Sequence, residues 1–467
     1  MASMVKVPEH TLERMERHVN GAPVDGRPMA VLTMGCRVNQ FESALMEQGG
    51  AARGYRLAGS GERAALVVIN TCSVTGESDR QARQLIRRAV RENPGARIVV
   101  TGCYAQNAPQ QVAELAGVSL VLGNGEKERF WEILDRSEAD EPDERILVGD
   151  VAELTRVPER VTVDRFGDRA RAFLQVQDGC DRACAYCVIP RLRGPSRSIG
   201  ARQVLAQARR FLDSGYRELV LTGVNLGAYG RDLEGCPTLA ELAGLLLDTG
   251  GGWRLRISSI DPLDVDPGLC ALLAGEPRLC GHLHLSVQSG DDAVRRRMGR
   301  GRGRDEVLAR VAMLRAARPE MVLGADLIVG FPGEDEAAFA KSLELVEEAD
   351  LSLLHVFPYS ARPDTPAARL PPSMLIPGDE IQSRARRLRQ AGEARYRQRL
   401  NSSIGASEAL LIENLEDGQA VGKTGGFLPM CVIPAQESWR GALLPVVVEG
   451  VDEKKETLLG RVIEQAC

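Results

Sequence analysis

Short apolar, β-branched runs punctuate the first third of the chain: MAVLTMGC ends at Cys36, ALVVINTC at Cys72 and ARIVVTGC at Cys103. Continuous runs without polar alternation predict strands buried on both faces, as in a parallel sheet. Between them the apolar positions fall to helical spacing. The segment ESDRQARQLIRRAVRENPG carries that period and stops at Pro-Gly, a helix-ending signal. Strand, helix, strand, helix, strand predicts an open α/β sheet. Parallel strands in such a sheet direct their carboxyl ends to one edge, where ligands bind. Cys36, Cys72 and Cys103 close three consecutive strands at one register, so the topology brings them together from distant parts of the chain. The alternative is that each is a small buried apolar residue, a common use of free cysteine.

Farther on the pattern repeats at a longer interval. Apolar runs recur as AFLQVQ (172–177), ELVLTGV (218–224), RLRISS (254–259), HLHLSV (282–287), VLGADLIVG (322–330) and LSLLHVF (351–357). Helical stretches such as ARQVLAQARRFLDSG and DEAAFAKSLELVEEAD lie between them. Six βα units predict a barrel-like parallel sheet, short of the eight of a closed barrel. In the tail, ALLIENL, AVGKTG and LPVVVEGV alternate with Gly, Asp-Gly and Pro turns, which predicts a small β-barrel. The expected architecture is α/β: an N-terminal open parallel sheet over 29–155, a partial (β/α)6 barrel over 166–399 and a small β-barrel over 400–467. Residues 1–28 are expected to form a loosely ordered N-terminal extension.

Length agrees with two or three domains, since 467 residues exceed what one core serves. No apolar run is long enough to span a membrane. The N-terminus, MASMVKVPEHTLERMERH, lacks the apolar stretch of a secretory signal. A cytoplasmic protein with no membrane partner is therefore expected. Thiols stay reduced there, so the eleven cysteines are candidates for metal binding or catalysis before disulfides. The net charge of −5 gives no global sign of a nucleic-acid binder. Locally the balance differs: six arginines fall within RRRMGRGRGR (295–304), and RARRLRQAGEARYRQR (384–399) is a second basic run. Arginines near a strand-end edge suit phosphate contacts. Arg191, Arg193, Arg197 and Arg300 are the candidate contacts to an RNA substrate. The competing explanation for basic runs is a solvated helix face.

The most specific stretch is GCDRACAYC (179–187), which spaces Cys180, Cys184 and Cys187 as C-x3-C-x2-C. Three thiolates on a short loop can hold three irons of a cubane cluster, leaving the fourth iron open. An open coordination position marks a reactive centre, whereas a structural zinc site closes with four ligands. Completion of a zinc knot by one of the five histidines (His10, His18, His282, His284, His355) is the alternative, and none lies near the loop in sequence. His282 and His284 alternate along one strand face and read as core or supporting side chains. Cys236, Cys270, Cys280, Cys431 and Cys467 show no ligand spacing and read as buried or incidental.

With Tyr186 directly before its third cysteine, this spacing resembles the signature of radical S-adenosylmethionine enzymes. The chain resembles, more narrowly, their methylthiotransferases from about residue 29 to 467. The likeness rests on GCRVNQFES (35–43), NTCSVT (70–75), VVTGCYAQ (99–106), VQDGCDRACAYCVIPRLRGPSRS (176–198), LTGVNLGAYG (221–230), HLHLSVQSGDD (282–292), DLIVGFPGE (326–334) and HVFPYSARPDTPAA (355–368). It implies two [4Fe-4S] clusters. Cys180, Cys184 and Cys187 would hold the one whose open iron is chelated by S-adenosylmethionine, the source of a 5′-deoxyadenosyl radical. Cys36, Cys72 and Cys103 would hold an auxiliary cluster from which a methylthio group passes to the substrate carbon. It places Tyr186 and the strand-end residues Thr222, Gly223, Asn225, Ser286 and Gln288, with Gly330 of the VGFPG turn, as candidate cofactor contacts. Asp326 is either a buried hydrogen-bonding carboxylate or a residue supporting the site.

Members of this family modify an adenosine beside the tRNA anticodon, bearing an isopentenyl or a threonylcarbamoyl group, or an aspartate of a ribosomal protein. GCRVNQ and HVFPYSARPDTPAA look most like the group acting on threonylcarbamoyladenosine. The implied partners are a tRNA anticodon stem-loop, an external electron donor such as flavodoxin or ferredoxin, and a sulfur donor. A non-catalytic iron–sulfur RNA-binding protein fits less well, because an open iron site has no place in a purely structural cluster. The tail resembles the RNA-binding TRAM module, yet residues 400–467 hold ten Asp or Glu against five Lys or Arg. That acidity departs from a basic RNA surface.

Overall fold

The structure, a computed structural model, describes residues 26–139, 145–157, 163–167, 169–301 and 303–463. The expected extension over 1–28 lies almost wholly outside the described residues, as do His10, His18, Arg302 and Cys467. The chain forms two compact units. The first runs to Leu154 and takes in the later segment Arg191–Gly194; the second holds the described chain from Asp164 onward, apart from that segment. Among the described residues no helix is long and apolar enough to cross a membrane.

In the first unit six strands form one sheet: β1 (Arg27–Thr33), β2 (Tyr55–Leu57), β3 (Leu66–Thr71), β4 (Arg97–Gly102), β5 (Val118–Leu122) and β6 (Ile146–Leu147), in the order β2-β1-β3-β4-β5-β6. Every pairing is parallel. Period-two alternation explains the unbroken apolar runs: Val67 and Ile69 enter one core while Leu66 and Val68 enter another on the opposite face. The predicted helix is Gly76–Glu92, capped by Thr75, whose side chain accepts from the Ser78 amide, and followed by Asn93, Pro94 and Gly95. Three strands read from the sequence are thus half of the sheet. The others are short or lie toward its edges, where apolar runs are briefer.

In the second unit seven strands, two of them the halves of one run, follow an open arc of parallel neighbours. β7 (Arg171–Gln175), β10 (Glu218–Thr222) and β11 (Arg254–Ile257) make one part. β12 (Ser259–Ile260), β13 (His282–Gln288), β14 (Val322–Val329) and β15 (Leu351–Pro358) make the other, with β12 following β11 after a break at Ser258. A short antiparallel pair, β8 (Gln177–Asp178) and β9 (Arg197–Ser198), brackets the cysteine loop. The tail is a closed barrel of β16 (Ser407–Glu416), β17 (Gln419–Lys423), β18 (Pro429–Val432), β19 (Leu443–Asp452) and β20 (Thr457–Val462).

The amino ends of the arc carry a buried charged layer. Glu218 on β10 stands in register with Arg171 on β7 and Arg254 on β11. It accepts from Arg254 at 2.6 Å and Arg256 at 2.7 Å. Arg254 and Arg256 also donate to the Lys423, Thr424 and Gly425 carbonyls of the small barrel. Phe427 lies beneath Arg171, Arg256 and Lys423 and stacks on His282, with ring centroids 5.1 Å apart. Burial would push the Glu218 carboxyl up, but Arg254, Arg256 and Arg171 outweigh it and hold it below the ordinary range. Removing one partner of such a set strands charges without solvent. Glu218→Ala is therefore expected to cost about 3–5 kcal/mol, read as a lower denaturation midpoint. A midpoint unchanged from wild type would show that the layer contributes nothing net. The group's folded pKa is depressed, so its contribution is present above the unfolded carboxyl pKa and fades as pH falls toward the folded value.

Candidate active site

Each cysteine trio sits at the carboxyl ends of parallel strands, within its own unit. In the first, Cys36 caps the helix Arg37–Ala51 after β1, Cys72 follows Thr71 at the end of β3, and Cys103 opens a short helix directly after β4. Adjacent strands place all three at one edge of the sheet. Gly35, at φ +93°, shows how close they come: a Cβ there would sit 2.7 Å from Cys72 Cβ and 2.9 Å from its sulfur. Desolvation pushes the Cys72 thiol up to about 12, with the neighbouring Cys103 adding to the rise. Cys36 keeps solvent contact on one side, yet loss of surrounding water also raises its thiol, against the pull of Arg193. Thiols in this state bind metal by releasing protons.

Polar residues that the sequence reading did not single out hold this edge. Asn39 donates to the Met34 and Thr71 carbonyls at 2.8 and 3.0 Å, and its side-chain oxygen lies 3.7 Å from Cys36 Sγ. Arg193 reaches Asn39 at 2.5 Å and Glu42 at 3.1 Å, while Lys127 pairs with Glu42 at 2.5 Å. Asn124 lies 3.9 Å from Cys103 Sγ and donates to the Leu192 carbonyl. Asn39, Glu42 and Ser43 are polar positions at helical spacing among Val38, Phe41, Ala44 and Met46 of the buried face, and that spacing was the available signal.

In the second unit the C-x3-C-x2-C loop follows β7 and β8. Cys180, Cys184 and Cys187 line one cavity of about 200 Å³, together with Arg182, Tyr186, Gly223, Asn225, Asp261, Ser286, Gln288 and Arg300. Gln177 ties the loop down. Its amide nitrogen donates to the Asp178 and Gly179 carbonyls and its oxygen accepts from the Asn225 amide at 2.7 Å. Gly299, at φ +71°, lets the arginine-glycine segment press on the loop, since a Cβ there would meet the Ala183 carbonyl at 2.8 Å. Backbone amides of Arg182 and Ile189 point at the Cys180 and Cys187 sulfurs at 3.4 and 3.5 Å. Arg300 reaches Cys184 Sγ at 3.5 Å and pairs with Asp261 at 2.9 Å, and Asp261 also takes Arg182 at 3.1 Å. Burial pushes Cys187 up to about 12 and raises Tyr186, which packs edge-on against Phe331. A convergent trio of thiols with hydrogen-bond donors aimed at the sulfurs fits a cysteine-ligated iron–sulfur cluster.

Several expected contacts are placed otherwise. Thr222 is buried at the end of β10, where its carbonyl accepts from the Val176 amide, and it does not line the cavity. Gly330 is also absent from the lining: at φ +75° a Cβ there would meet Ile381 Cγ1 at 2.4 Å, so close packing explains this glycine. Of the candidate RNA contacts only Arg191 is exposed. Arg193 is buried on Glu42, and Arg197 is buried beside Asp178 at 3.3 Å. Arg300 faces the cysteine cavity instead of a surface. Arg295, Arg297 and Arg304 likewise donate to Val287, Gly333 and Glu348. Arg295, Arg297, Arg300 and Arg304 of the first run are therefore paired within the fold, because a buried guanidinium needs a carbonyl or carboxylate in reach, whereas Arg386, Arg387 and Arg397 of the second run are exposed. His282 is buried as expected, and Asp326 accepts from both His284 and His355.

Residues 28–123 match a family described as Uncharacterized protein family UPF0004, and residues 174–346 match the Radical SAM superfamily. The threonylcarbamoyladenosine tRNA methylthiotransferase MtaB of Rickettsia prowazekii (strain Madrid E) is 39% identical over 403 residues, covering 86% of this chain and 90% of the relative. The protein of that name from Bacillus subtilis (strain 168) is 38% identical, covering 73% and 75%. The tRNA-2-methylthio-N(6)-dimethylallyladenosine synthase of Geobacter sulfurreducens is 32% identical, covering 94% and 98%. Among solved structures, a radical S-adenosylmethionine methyltransferase from Kitasatospora setae, with cobalamin and a [4Fe-4S] cluster bound, matches with TM-score 0.55 at 14% identity. The match covers 73% of this chain and 77% of that one, and is a likeness of fold.

Proposed function

We propose that this chain, which belongs to the radical S-adenosylmethionine methylthiotransferase family, converts N6-threonylcarbamoyladenosine beside the anticodon of tRNA to its 2-methylthio derivative. The observation that carries the choice of substrate is the likeness, at 37–39% identity, to relatives named for threonylcarbamoyladenosine. Relatives named for dimethylallyladenosine, at 32–33%, keep an isopentenyl substrate as the second reading.

Cys180, Cys184 and Cys187 would hold a [4Fe-4S] cluster with one iron left for S-adenosylmethionine. Bound there, the pair supplies electron transfer to the sulfonium and hydrogen abstraction from an unreactive C–H bond. The protein's part is binding and electrostatics. The Arg182 and Ile189 amides and the Arg300 guanidinium stand beside the three sulfurs, where donors offset thiolate charge and ease reduction. Asp261 fixes Arg300 and Arg182 around the same hollow. Gly223 lines the same hollow and packs closely under it, since a Cβ there would meet Gln177 Oε1 at 2.9 Å and Leu226 Cδ2 at 3.0 Å. Cys36, Cys72 and Cys103 would hold a second [4Fe-4S] cluster as the site from which sulfur is donated, with Asn39 and Arg193 orienting its edge. A flavodoxin- or ferredoxin-type reductant and an external sulfur donor complete the cycle.

Mass spectrometry of tRNA nucleosides from cells with and without the gene tests this. Loss of 2-methylthio-threonylcarbamoyladenosine, with its precursor accumulating, is the expected result. Loss of the isopentenyl product alone would favour the second reading, and no change would shift attention to ribosomal proteins.

A further inference from the structure

Three side chains the mechanism does not use meet on adjacent strands of the second unit. Asp326 on β14 accepts through one oxygen, Oδ1, from His284 Nε2 on β13 at 2.9 Å and from His355 Nδ1 on β15 at 3.2 Å. The two imidazole rings lie 4.4 Å apart, centroid to centroid. Room for them is built in: a Cβ on Gly324 would sit 2.4 Å from His284 Nδ1. The burial is graded. His284 is 8% exposed and Asp326 22%, whereas the His355 side chain is 61% exposed, so its Nε2 edge is what a ligand would meet. Two residues along β15, Phe357 is exposed, its ring centroid 6.3 Å from that of His355. Two residues along β13 from His284, Ser286 lines the cysteine cavity.

This is the chemistry of a subsite for an anionic group next to a flat ring. Burial would push the Asp326 carboxyl up, yet the two imidazoles hold it well below its usual range. With both ring nitrogens carrying hydrogen, His355 gives Nδ1–H to Asp326 and turns Nε2–H to the exposed side, a donor for an anion. An exposed aromatic ring beside it gives a nucleobase a face to stack on. Resting on the function proposed above, we infer that His355, positioned by Asp326 and His284, binds the carboxylate of the N6-threonylcarbamoyl substituent while Phe357 supports its base. An isopentenyl group offers no polar atom to this cluster, so the same contact would discriminate between the two tRNA substrates.

The test uses reconstituted full-length protein and anticodon stem-loops carrying either threonylcarbamoyladenosine or its methyl ester, which removes the negative charge and changes nothing in the phosphates. For wild type the ester is expected to lower kcat/KM by about tenfold or more, mainly through KM, as for loss of a charged hydrogen bond. His355→Ala and Asp326→Asn should lose a similar factor on the acid and little further on the ester, because they remove the same interaction. Iron content equal to wild type's establishes that a variant has folded and loaded. Equal losses by His355→Ala on acid and ester would overturn the inference and point to a phosphate or structural role. A stoichiometric divalent ion retained by wild type and lost in Asp326→Asn, with acid and ester handled alike, would overturn it in favour of a metal site. If wild type modified isopentenyl stem-loops and neither threonylcarbamoyl form, the proposed function itself would fail.

Discussion

Replacing Cys180, Cys184 and Cys187 together with alanine is expected to abolish reductive cleavage of S-adenosylmethionine and to lower iron content from about eight atoms per chain to about four. The expectation follows from the loop's chemistry. Three thiols line one cavity, and the donors around them are the Arg182 and Ile189 amides and the Arg300 guanidinium. None of these can ligate iron in a thiolate's place. The fold should tolerate the change, since Gln177 and the Ala185 amide, which donates to the Met298 carbonyl at 2.9 Å, still hold the loop, and the long sulfur contacts of the Arg182 and Ile189 amides and of Arg300 are what is lost. Anaerobic reconstitution followed by iron assay and 5′-deoxyadenosine detection reads both outcomes. Continued cleavage by the triple variant would mean that the radical cluster is bound elsewhere.

Alanine at Cys36, Cys72 and Cys103 is expected to have the complementary effect: 5′-deoxyadenosine still forms, but sulfur insertion into tRNA is lost and about four irons disappear. The two sites occupy separate compact units with separate cores, so losing one set of ligands need not dismantle the other. Cys36 makes no capping hydrogen bond to its helix, and its loss costs that helix little. Cys103 is buried, and trimming a small thiol to a methyl should cost about 1 kcal/mol. Liquid chromatography of nucleosides together with cofactor cleavage separates the activities. Loss of both would show that the first unit's cysteines serve folding, or that the chemistry at the two sites is obligately coupled.

Much of the scaffold is legible in the primary structure because it depends on local periodicity. Runs such as LVVI are apolar on both faces and rich in β-branched residues, as a buried strand requires, and each of the six runs of the second unit falls on the arc, RLRISS across β11 and the start of β12. The tail's turns mark a small barrel, although β18 and β20 are short or mixed in polarity and stood out less. Charge was the poorer guide. A basic run such as RRRMGRGRGR is the same string whether its guanidiniums face water or carbonyls, and here Arg295, Arg297 and Arg300 turn inward. Glu218, a single carboxylate within ELVLTGV, carried no visible sign that Arg171, Arg254 and Arg256 would converge on it.

The arrangement of the thiols is legible in the primary structure. A C-x3-C-x2-C loop is a local object, and cysteines at the ends of consecutive apolar strands are brought together by parallel topology alone. The fold, by contrast, sets the partners of each charge and gathers His284, Asp326 and His355 from three strands. It also decided that Gly330 answers to Ile381 and lies off the cysteine cavity. The physical reason is range: hydrophobic periodicity is written within a few residues, whereas an ion pair or a close backbone approach is chosen among groups that the chain itself keeps far apart.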